Sequence, residues 1–370
     1  MTIIRYIMPM LMLLGTAAKP IDWYTIIPQL ATFGFINWIR TPHTIVPTPE
    51  NLHVFTLYPT QQELPETYTY ASDIVAQIAK NKAPEQTHTV MRDKKTKDIL
   101  GYIPTYKGVH VASEPHITIF SHGMLRFGTR PSKGGGFLEG YDHLRNHFLY
   151  NPVVCFDYLE NPKSVNFGQE TDQSYLNMVY QHVCKQSPEA SISLMGICMG
   201  CANILQYAAT NPDNLETIVL FSPLLSLETI ADYVCSIQPW LRTLIGPRLF
   251  SDMIASILPN YDKDKDVTLE KARSIKNKTI FIAHRRHDTM VALATIITLV
   301  DVLNKHNTVY LYVTDDTTYN HARLQFVRDV QITLNAFYAA HGIPHDATLA
   351  QEGAELLASA AYYGNHPEQL

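Results

Sequence analysis

The chain has 370 residues, of which 46% are hydrophobic and 17% are charged, so it can bury a large core and is not globally disordered. Its formal net charge of -5 argues against nucleic acid as a partner, because proteins that bind nucleic acid usually present a basic face. Five cysteines at irregular spacing do not resemble a disulfide framework.

The N-terminal stretch MTIIRYIMPMLMLLGTAA (1–18) has one basic residue and then an apolar run that ends in small residues. This pattern is typical of a signal peptide or an anchor, with cleavage expected after Ala17 or Ala18. The uncharged pattern continues beyond it, which makes residues 1–40 a candidate for association with a membrane surface. The sequence therefore favours an exported or membrane-associated protein over a cytoplasmic one.

The rest of the chain divides by its hydrophobic pattern. Residues 19–113 form an N-terminal extension in which alternating, turn-bounded stretches such as NLHVFTLYP predict strands. From 114 to 340, short apolar runs alternate with helical stretches, which predicts a mostly parallel, doubly wound sheet covered on both faces. Within this core, residues 224–274, approximately, have a helical pattern, which predicts a lid over the carboxyl edge of the sheet. Residues 341–370 predict a helical tail.

The stretch SLMGICMGCANILQ places Cys198 between Gly196 and Gly200, where an apolar run ends and a helical pattern begins. A residue on so tight a strand-to-helix turn has a strained backbone, and flanking glycines remove the side chains that would collide there. The side chain then projects from the carboxyl edge of the sheet, at a helix N-terminus that favours negative charge. The sequence therefore predicts that Cys198 is an exposed, anionic nucleophile.

This G-x-C-x-G pattern resembles the nucleophile elbow of the α/β-hydrolase superfamily, in the cysteine form found in dienelactone hydrolases and polyhydroxyalkanoate synthases. The resemblance covers roughly residues 114–340 and implies an α/β-hydrolase fold. It also implies a triad in the order nucleophile, acid, histidine. In TIFIAHRRHDTMVA the acid position falls on Asp288, and in VYLYVTDDTTYNHARLQ the histidine position falls on His321.

The same resemblance implies a function. It predicts that the chain hydrolyses a small carboxylic ester or thioester, or transfers its acyl group, through an acyl-enzyme and without a cofactor. The oxyanion is expected to be bound by the backbone amide of Met199 and by that of Gly123 or Met124, because the sequence FSHG resembles the oxyanion strand of the superfamily.

Two other functional interpretations stay open at this point. One is a hydrolase-fold protein that binds a ligand or partner without catalysis. The other is a redox protein, because Cys198 and Cys201 form a C-x-x-C pair at a strand-to-helix turn. A disulfide between them would switch the nucleophile off, whereas the plainer interpretation makes Cys201 a small residue beneath the elbow.

Individual residues also have plainer roles. Asp315 and Asp316 lie near His321 in the sequence and could make it an ordinary ion-pair partner. His284 and His287 are a weak pair for metal binding without a clear set of further ligands, so no metal site is predicted.

Overall fold

The computed structural model describes only part of the chain. The described residues are 54–57, 68–70, 88–92, 99–104, 116–123, 153–156, 169–255, 261–266, 269–318 and 321–370. The predicted signal peptide and the candidate membrane segment, residues 1–40, lie outside them, as do Met124 and most of the N-terminal extension. None of the helices in the described ranges is long and apolar enough to cross a bilayer.

The strands of the described ranges are β1 (Val54–Leu57), β2 (Tyr68–Tyr70), β3 (His88–Arg92), β4 (Ile99–Pro104), β5 (His116–Ser121), β6 (Val153–Phe156), β7 (Ser191–Ile197), β8 (Leu215–Phe221), β9 (Thr279–Arg285) and β10 (Thr308–Thr314). The helices are α1 (Glu170–Gln186), α2 (Gly200–Ala208), α3 (Leu227–Ile237), α4 (Pro239–Leu244), α5 (Pro247–Ala255), α6 (Leu269–Ser274), α7 (Leu293–Leu303), α8 (Arg328–Ala340), α9 (Ala347–Glu352) and α10 (Ala354–Asn365). Three short 3-10 turns cover Lys263–Lys265, Leu324–Phe326 and Pro367–Gln369.

Seven strands form the main sheet in the order β1-β6-β5-β7-β8-β9-β10, and β2, β3 and β4 form a separate sheet. In the main sheet, β5 to β10 run parallel to one another, and β1 runs antiparallel to β6. All residues of β5 and β6 are buried, as expected for a parallel sheet covered on both faces. The predicted mostly parallel, doubly wound sheet is thus confirmed.

One strand of the predicted N-terminal extension belongs to this sheet. Val54 of β1 pairs with Phe156 of β6, and Leu57 pairs with Val153, so β1 closes one edge of the sheet. This pairing was not predicted from the sequence, because pairing between segments about a hundred residues apart leaves no local pattern to detect.

The chain between β8 and β9 carries the helices α3 to α6, where the sequence predicts a lid. A buried polar cluster fastens the returning part of this insertion to the start of α1. The Gln169 amide donates to the carboxylate of Asp266 (3.1 Å) and to the Asp262 carbonyl (2.7 Å), and the Tyr261 hydroxyl donates to the other Asp266 oxygen (2.5 Å). Burial raises the pKa of Asp266 to about 6, although these hydrogen bonds oppose the shift. The insertion is therefore anchored to the core, and its action as a lid stays a prediction.

Candidate active site

The sheet reverses its winding direction at β5. Strand β6 lies on one side of β5, and β7, which follows β6 in the chain, lies on the other side. In open parallel sheets, ligands bind outside the carboxyl ends of the strands at such a switch point. The residues that follow β5 and β7, namely His122, Gly123 and Cys198, therefore meet at the place where a site is expected.

Cys198 lies on a tight turn between β7 and α2. Its φ of 54° falls in the left-handed region, which is costly for a residue with a side chain. Its amide donates to the Phe221 carbonyl of β8 (2.9 Å), and its carbonyl accepts from the amides of Cys201 and Leu224 (3.1 Å each). The neighbouring strand and the new helix thus hold the strained backbone in place.

The two glycines beside Cys198 are required by close backbone contacts. A Cβ atom on Gly200 would lie 2.1 Å from the carbonyl oxygen of Ser121, and one on Gly196 would lie 2.9 Å from the amide nitrogen of Cys201. The first approach involves backbone that cannot rotate away. The G-x-C-x-G spacing therefore follows from helix α2 starting directly against the end of β5.

The structure brings Cys198, His321 and Asp288 together in one chain of hydrogen bonds. His321 Nε2 lies 3.2 Å from Cys198 Sγ, and His321 Nδ1 lies 2.7 Å and 2.9 Å from the two carboxylate oxygens of Asp288. One of these oxygens also accepts from the amides of Met290 (2.8 Å) and Val291 (2.9 Å), so the loop after β9 fixes the carboxylate.

The charges of this group reinforce one another. Burial alone would lower the pKa of His321, but the negative charge of Cys198 and the hydrogen bonds to Asp288 and Cys198 outweigh it and raise that pKa to about 10. Burial would raise the pKa of Asp288, yet the bond and the charge of His321 hold it below its usual value. The arrangement therefore favours the protonated form of His321 beside an ionised Asp288.

The backbone next to Cys198 comes from the start of α2 and from the residues that follow β5. The Met199 amide, at the start of α2, donates to no backbone carbonyl of the described ranges. Gly123 passes directly against the turn at Cys198, since a Cβ on it would lie 3.1 Å from Cys198 Cβ. The ring Nδ1 of His122 lies 2.7 Å from the Gly123 carbonyl, and burial lowers the pKa of His122 to about 4. Neutral His122 therefore donates to this carbonyl and fixes the orientation of the Gly123 backbone.

The residues with plainer alternative roles do not compete for His321. Asp315 forms an ion pair with Arg286, and Asp316 forms one with Arg285. The carboxylate that pairs with His321 is that of Asp288.

The two histidines of the basic loop do not converge on a common point. The buried ring of His284 has Nε2 3.0 Å from the Val291 carbonyl, whereas His287 is exposed. No cluster of three or more metal-ligating side chains occurs in the described part of the chain.

Cys201 lies beneath the elbow. It is fully buried, and its Sγ is 3.5 Å from the Phe221 carbonyl, whereas the sulfur of Cys198 faces His321. Burial raises the pKa of Cys201 well above its ordinary value. These contacts fit the interpretation of Cys201 as a packing residue beneath the elbow, and its role as a redox partner of Cys198 stays a prediction.

Arg285 is a part of the site that the sequence analysis did not identify. Its side chain is 1% exposed and reaches the loop that carries His321. The basic sequence HRRHD marks this loop as unusual, but a sequence does not show which of two adjacent arginines points inward.

A mostly parallel sheet with a strained turn after β7, an aspartate after β9 and a histidine after β10 is the arrangement of the α/β-hydrolase fold. The chain has this fold, with a helical insertion between β8 and β9.

Comparison with known proteins adds only weak likenesses. No protein-family model matches the sequence, and no curated protein does. Among solved structures, the chain is similar to an esterase of Pyrococcus furiosus at 16% identity, covering 77% of this chain and 98% of that one with a TM-score of 0.46. It is also similar to the protein Est1E of Butyrivibrio proteoclasticus (14% identity, 62% and 88% covered, TM-score 0.40) and to an acylaminoacyl peptidase of Pyrococcus horikoshii (15%, 74% and 43%, 0.39).

Proposed function

We propose that the chain is an enzyme that hydrolyses carboxylic esters or thioesters, with Cys198 as nucleophile, His321 as general base and acid, and Asp288 as the group that orients His321. The observation that carries the proposal is the unbroken path from Cys198 Sγ through both ring nitrogens of His321 to the Asp288 carboxylate, at 3.2 Å and 2.7 Å. Nucleophilic catalysis needs such a path, because the base must be held in one tautomer while it exchanges a proton with the nucleophile.

In the first half-reaction the Cys198 thiolate attacks the acyl carbon, and the carbonyl oxygen becomes an oxyanion. The amide of Met199 and an amide at Gly123 or Met124 donate hydrogen bonds to this oxygen. The tetrahedral species collapses, the bond to the leaving oxygen or sulfur breaks, and the His321 imidazolium gives that atom its proton. The product is a thioester between the substrate acyl group and Cys198, with His321 neutral.

In the second half-reaction neutral His321 takes a proton from water, and the oxygen of that water attacks the acyl carbon. The oxyanion forms in the same place, the bond to the sulfur breaks, and the carboxylic acid leaves. Cys198 returns as a thiolate beside the His321 imidazolium, so protons and electrons balance over the cycle. Asp288 stabilises the imidazolium at each stage at which it is present.

The nature of the intermediate favours thioesters and activated esters as substrates. The acyl-enzyme is itself a thioester, so transfer from a thioester substrate exchanges like bonds. Transfer from an ester with a good leaving group is driven by the departure of that group.

Turnover of p-nitrophenyl esters and acyl thioesters by four proteins tests the proposal. We expect Cys198→Ala to lower kcat/KM at least about 1,000-fold, because the attacking atom is gone. Cys198→Ser tests whether oxygen can replace sulfur in this setting. Cys184→Ala is the matched control, because this half-buried thiol lies near the end of α1, and it should retain the activity of the unaltered protein. Turnover by Cys198→Ala at the unaltered rate would refute the proposal.

A further inference from the structure

Arg285, the last residue of β9, carries a buried positive charge that the triad does not explain. Its side chain is 1% exposed, and it is the largest of the fully buried side chains among the described residues. Arginine is almost never buried so completely without charged and hydrogen-bonding partners, because leaving water is costly for its charge. The partners of Arg285 therefore show what this burial achieves.

The guanidinium of Arg285 contacts the loop between β10 and α8 on both sides of His321. Its Nη1 donates to the Asp316 carbonyl (2.7 Å) and to the Asp316 carboxylate. Its Nε makes a longer bond to the Ala322 carbonyl (3.4 Å), one residue after His321. The Asp316 carboxylate also accepts from the amide (3.1 Å) and hydroxyl (3.0 Å) of Thr318. These bonds connect the first half of the loop to the ion pair of Arg285 and Asp316.

The backbone after His321 needs external support. Ala322 and Arg323 have φ values of 52° and 51°, so two consecutive residues with side chains adopt the left-handed conformation. Such residues persist only where the surrounding structure fixes them. The bond from Arg285 to the Ala322 carbonyl acts at this strained point.

The geometry points to Arg285 as a positioning residue for His321, held in this role by its pair with Asp316. Strand β9 ends in Arg285, and Asp288 follows three residues later, so one strand end locates both the acid and the loop that carries the histidine. This inference rests on the proposed function, because it assigns Arg285 to the geometry that lets His321 reach Cys198. A displacement of about 1 Å in such a group can cost about 100-fold in rate.

The next residue in the chain provides a matched control. Arg286 also pairs with an aspartate of the same loop, Asp315, but its side chain is 34% exposed and that of Asp315 is 70% exposed. Exposed pairs of this kind contribute little. The exchanges Arg285→Met and Arg286→Met thus remove the same group from adjacent positions. The first removes the buried contacts with the loop that carries His321, and the second removes a more exposed ion pair.

Two readouts distinguish a positioning role of Arg285 from a role in general stability. Both are measured on variants whose far-ultraviolet circular dichroism spectrum is unchanged. The first is kcat and KM measured separately for a p-nitrophenyl ester. The second is the pH profile for alkylation of Cys198 by iodoacetamide, which reports its coupling to His321. We expect Arg285→Met to lower kcat about 100-fold with KM nearly unchanged, and to shift the alkylation profile toward that of His321→Ala. Arg285→Lys should recover part of both effects, and Arg286→Met should match the unaltered protein.

The outcomes distinguish this inference from the proposed function. If His321→Ala leaves the alkylation profile unchanged, His321 is not coupled to Cys198, and both the proposed function and the inference fail. If His321→Ala changes the profile and Arg285→Met does not, the inference alone is overturned. If Arg285→Met does not fold, the comparison is made with Asp316→Ala against Asp315→Ala, and equal profiles for these two variants would overturn the inference.

Discussion

The exchange Asp288→Asn tests the electrostatic part of the proposed mechanism while preserving the shape of the site. The asparagine oxygen can still accept from the amides of Met290 and Val291, which lie 2.8 Å and 2.9 Å from one carboxylate oxygen. The new NH2 group replaces the oxygen that lies 2.7 Å from His321 Nδ1. The NH2 group at the shorter distance donates to Nδ1, which favours the tautomer of neutral His321 with its proton on Nε2 over the one in which Nδ1 donates to the asparagine oxygen at 2.9 Å.

That tautomer carries its proton on Nε2, where the second half-reaction needs an acceptor for the proton of water. The same exchange in a Ser-His-Asp triad lowers kcat about 10⁴-fold. Loss of a hydrogen bond to a charged group costs about 1.5–3 kcal/mol, and the wrong tautomer adds to this cost. We therefore expect kcat/KM to fall about 1,000-fold, which corresponds to about 4 kcal/mol.

Steady-state hydrolysis of a p-nitrophenyl ester measures this loss, and the melting temperature of each variant reports on its fold. Asp315→Asn is the matched control, because that carboxylate is 70% exposed and pairs with Arg286. It should retain full activity. If Asp288→Asn kept more than a third of the unaltered kcat/KM, orientation of His321 by a charged carboxylate would not be part of catalysis.

Three further predictions concern the elbow and the insertion. Gly200→Ala should prevent folding or abolish turnover, because its Cβ would lie 2.1 Å from the Ser121 carbonyl oxygen, and a soluble variant with normal kcat would contradict this. The pKa of Asp266 is raised from 3.8 to about 6 by burial, so its protonated form is favoured in the folded state and its contribution to stability falls as the pH rises from about 4 to about 6. The change is at most about 3 kcal/mol, and Asp266→Asn should remove this part of the pH dependence of the unfolding free energy; an identical pH dependence in the two proteins would rule it out. Cys201→Ala loses the weak contact of Sγ with the Phe221 carbonyl, so we expect activity within about threefold of the unaltered protein, whereas a loss of most activity would show that the Cys201 side chain is needed to hold the elbow.

The strand-to-helix turn at Cys198 has a local sequence pattern. Gly196 and Gly200 lie two residues before and after Cys198, and the apolar runs on both sides identify the strand and the helix, although the contact that requires Gly200 comes from Ser121 of β5. The order of the three candidate residues, with Asp288 after β9 and His321 after β10, follows from parallel strands that share one carboxyl edge. Local patterns and one topological rule therefore suffice to bring these residues close together.

The remaining features depend on contacts between distant segments. The pairing of β1 with β6 joins segments about a hundred residues apart, and the sequence of neither strand indicates which strand it pairs with. Arg285 and Arg286 are adjacent and equivalent in the sequence, but successive side chains at a strand end point in opposite directions, so Arg285 pairs with Asp316 and Arg286 with the more exposed Asp315. Which arginine becomes buried is decided by tertiary packing and not by local preference.

The most direct test of the central claim is to identify the atom that carries the acyl group during turnover. The protein is mixed with a p-nitrophenyl ester, quenched in acid and digested, and its peptides are examined by mass spectrometry. The account predicts one acyl group on the peptide that contains Cys198, formed at the rate of the p-nitrophenol burst and absent from His321→Ala at the same time point. Acylation at another residue, or a burst from protein whose Cys198 has been blocked by iodoacetamide, would contradict it.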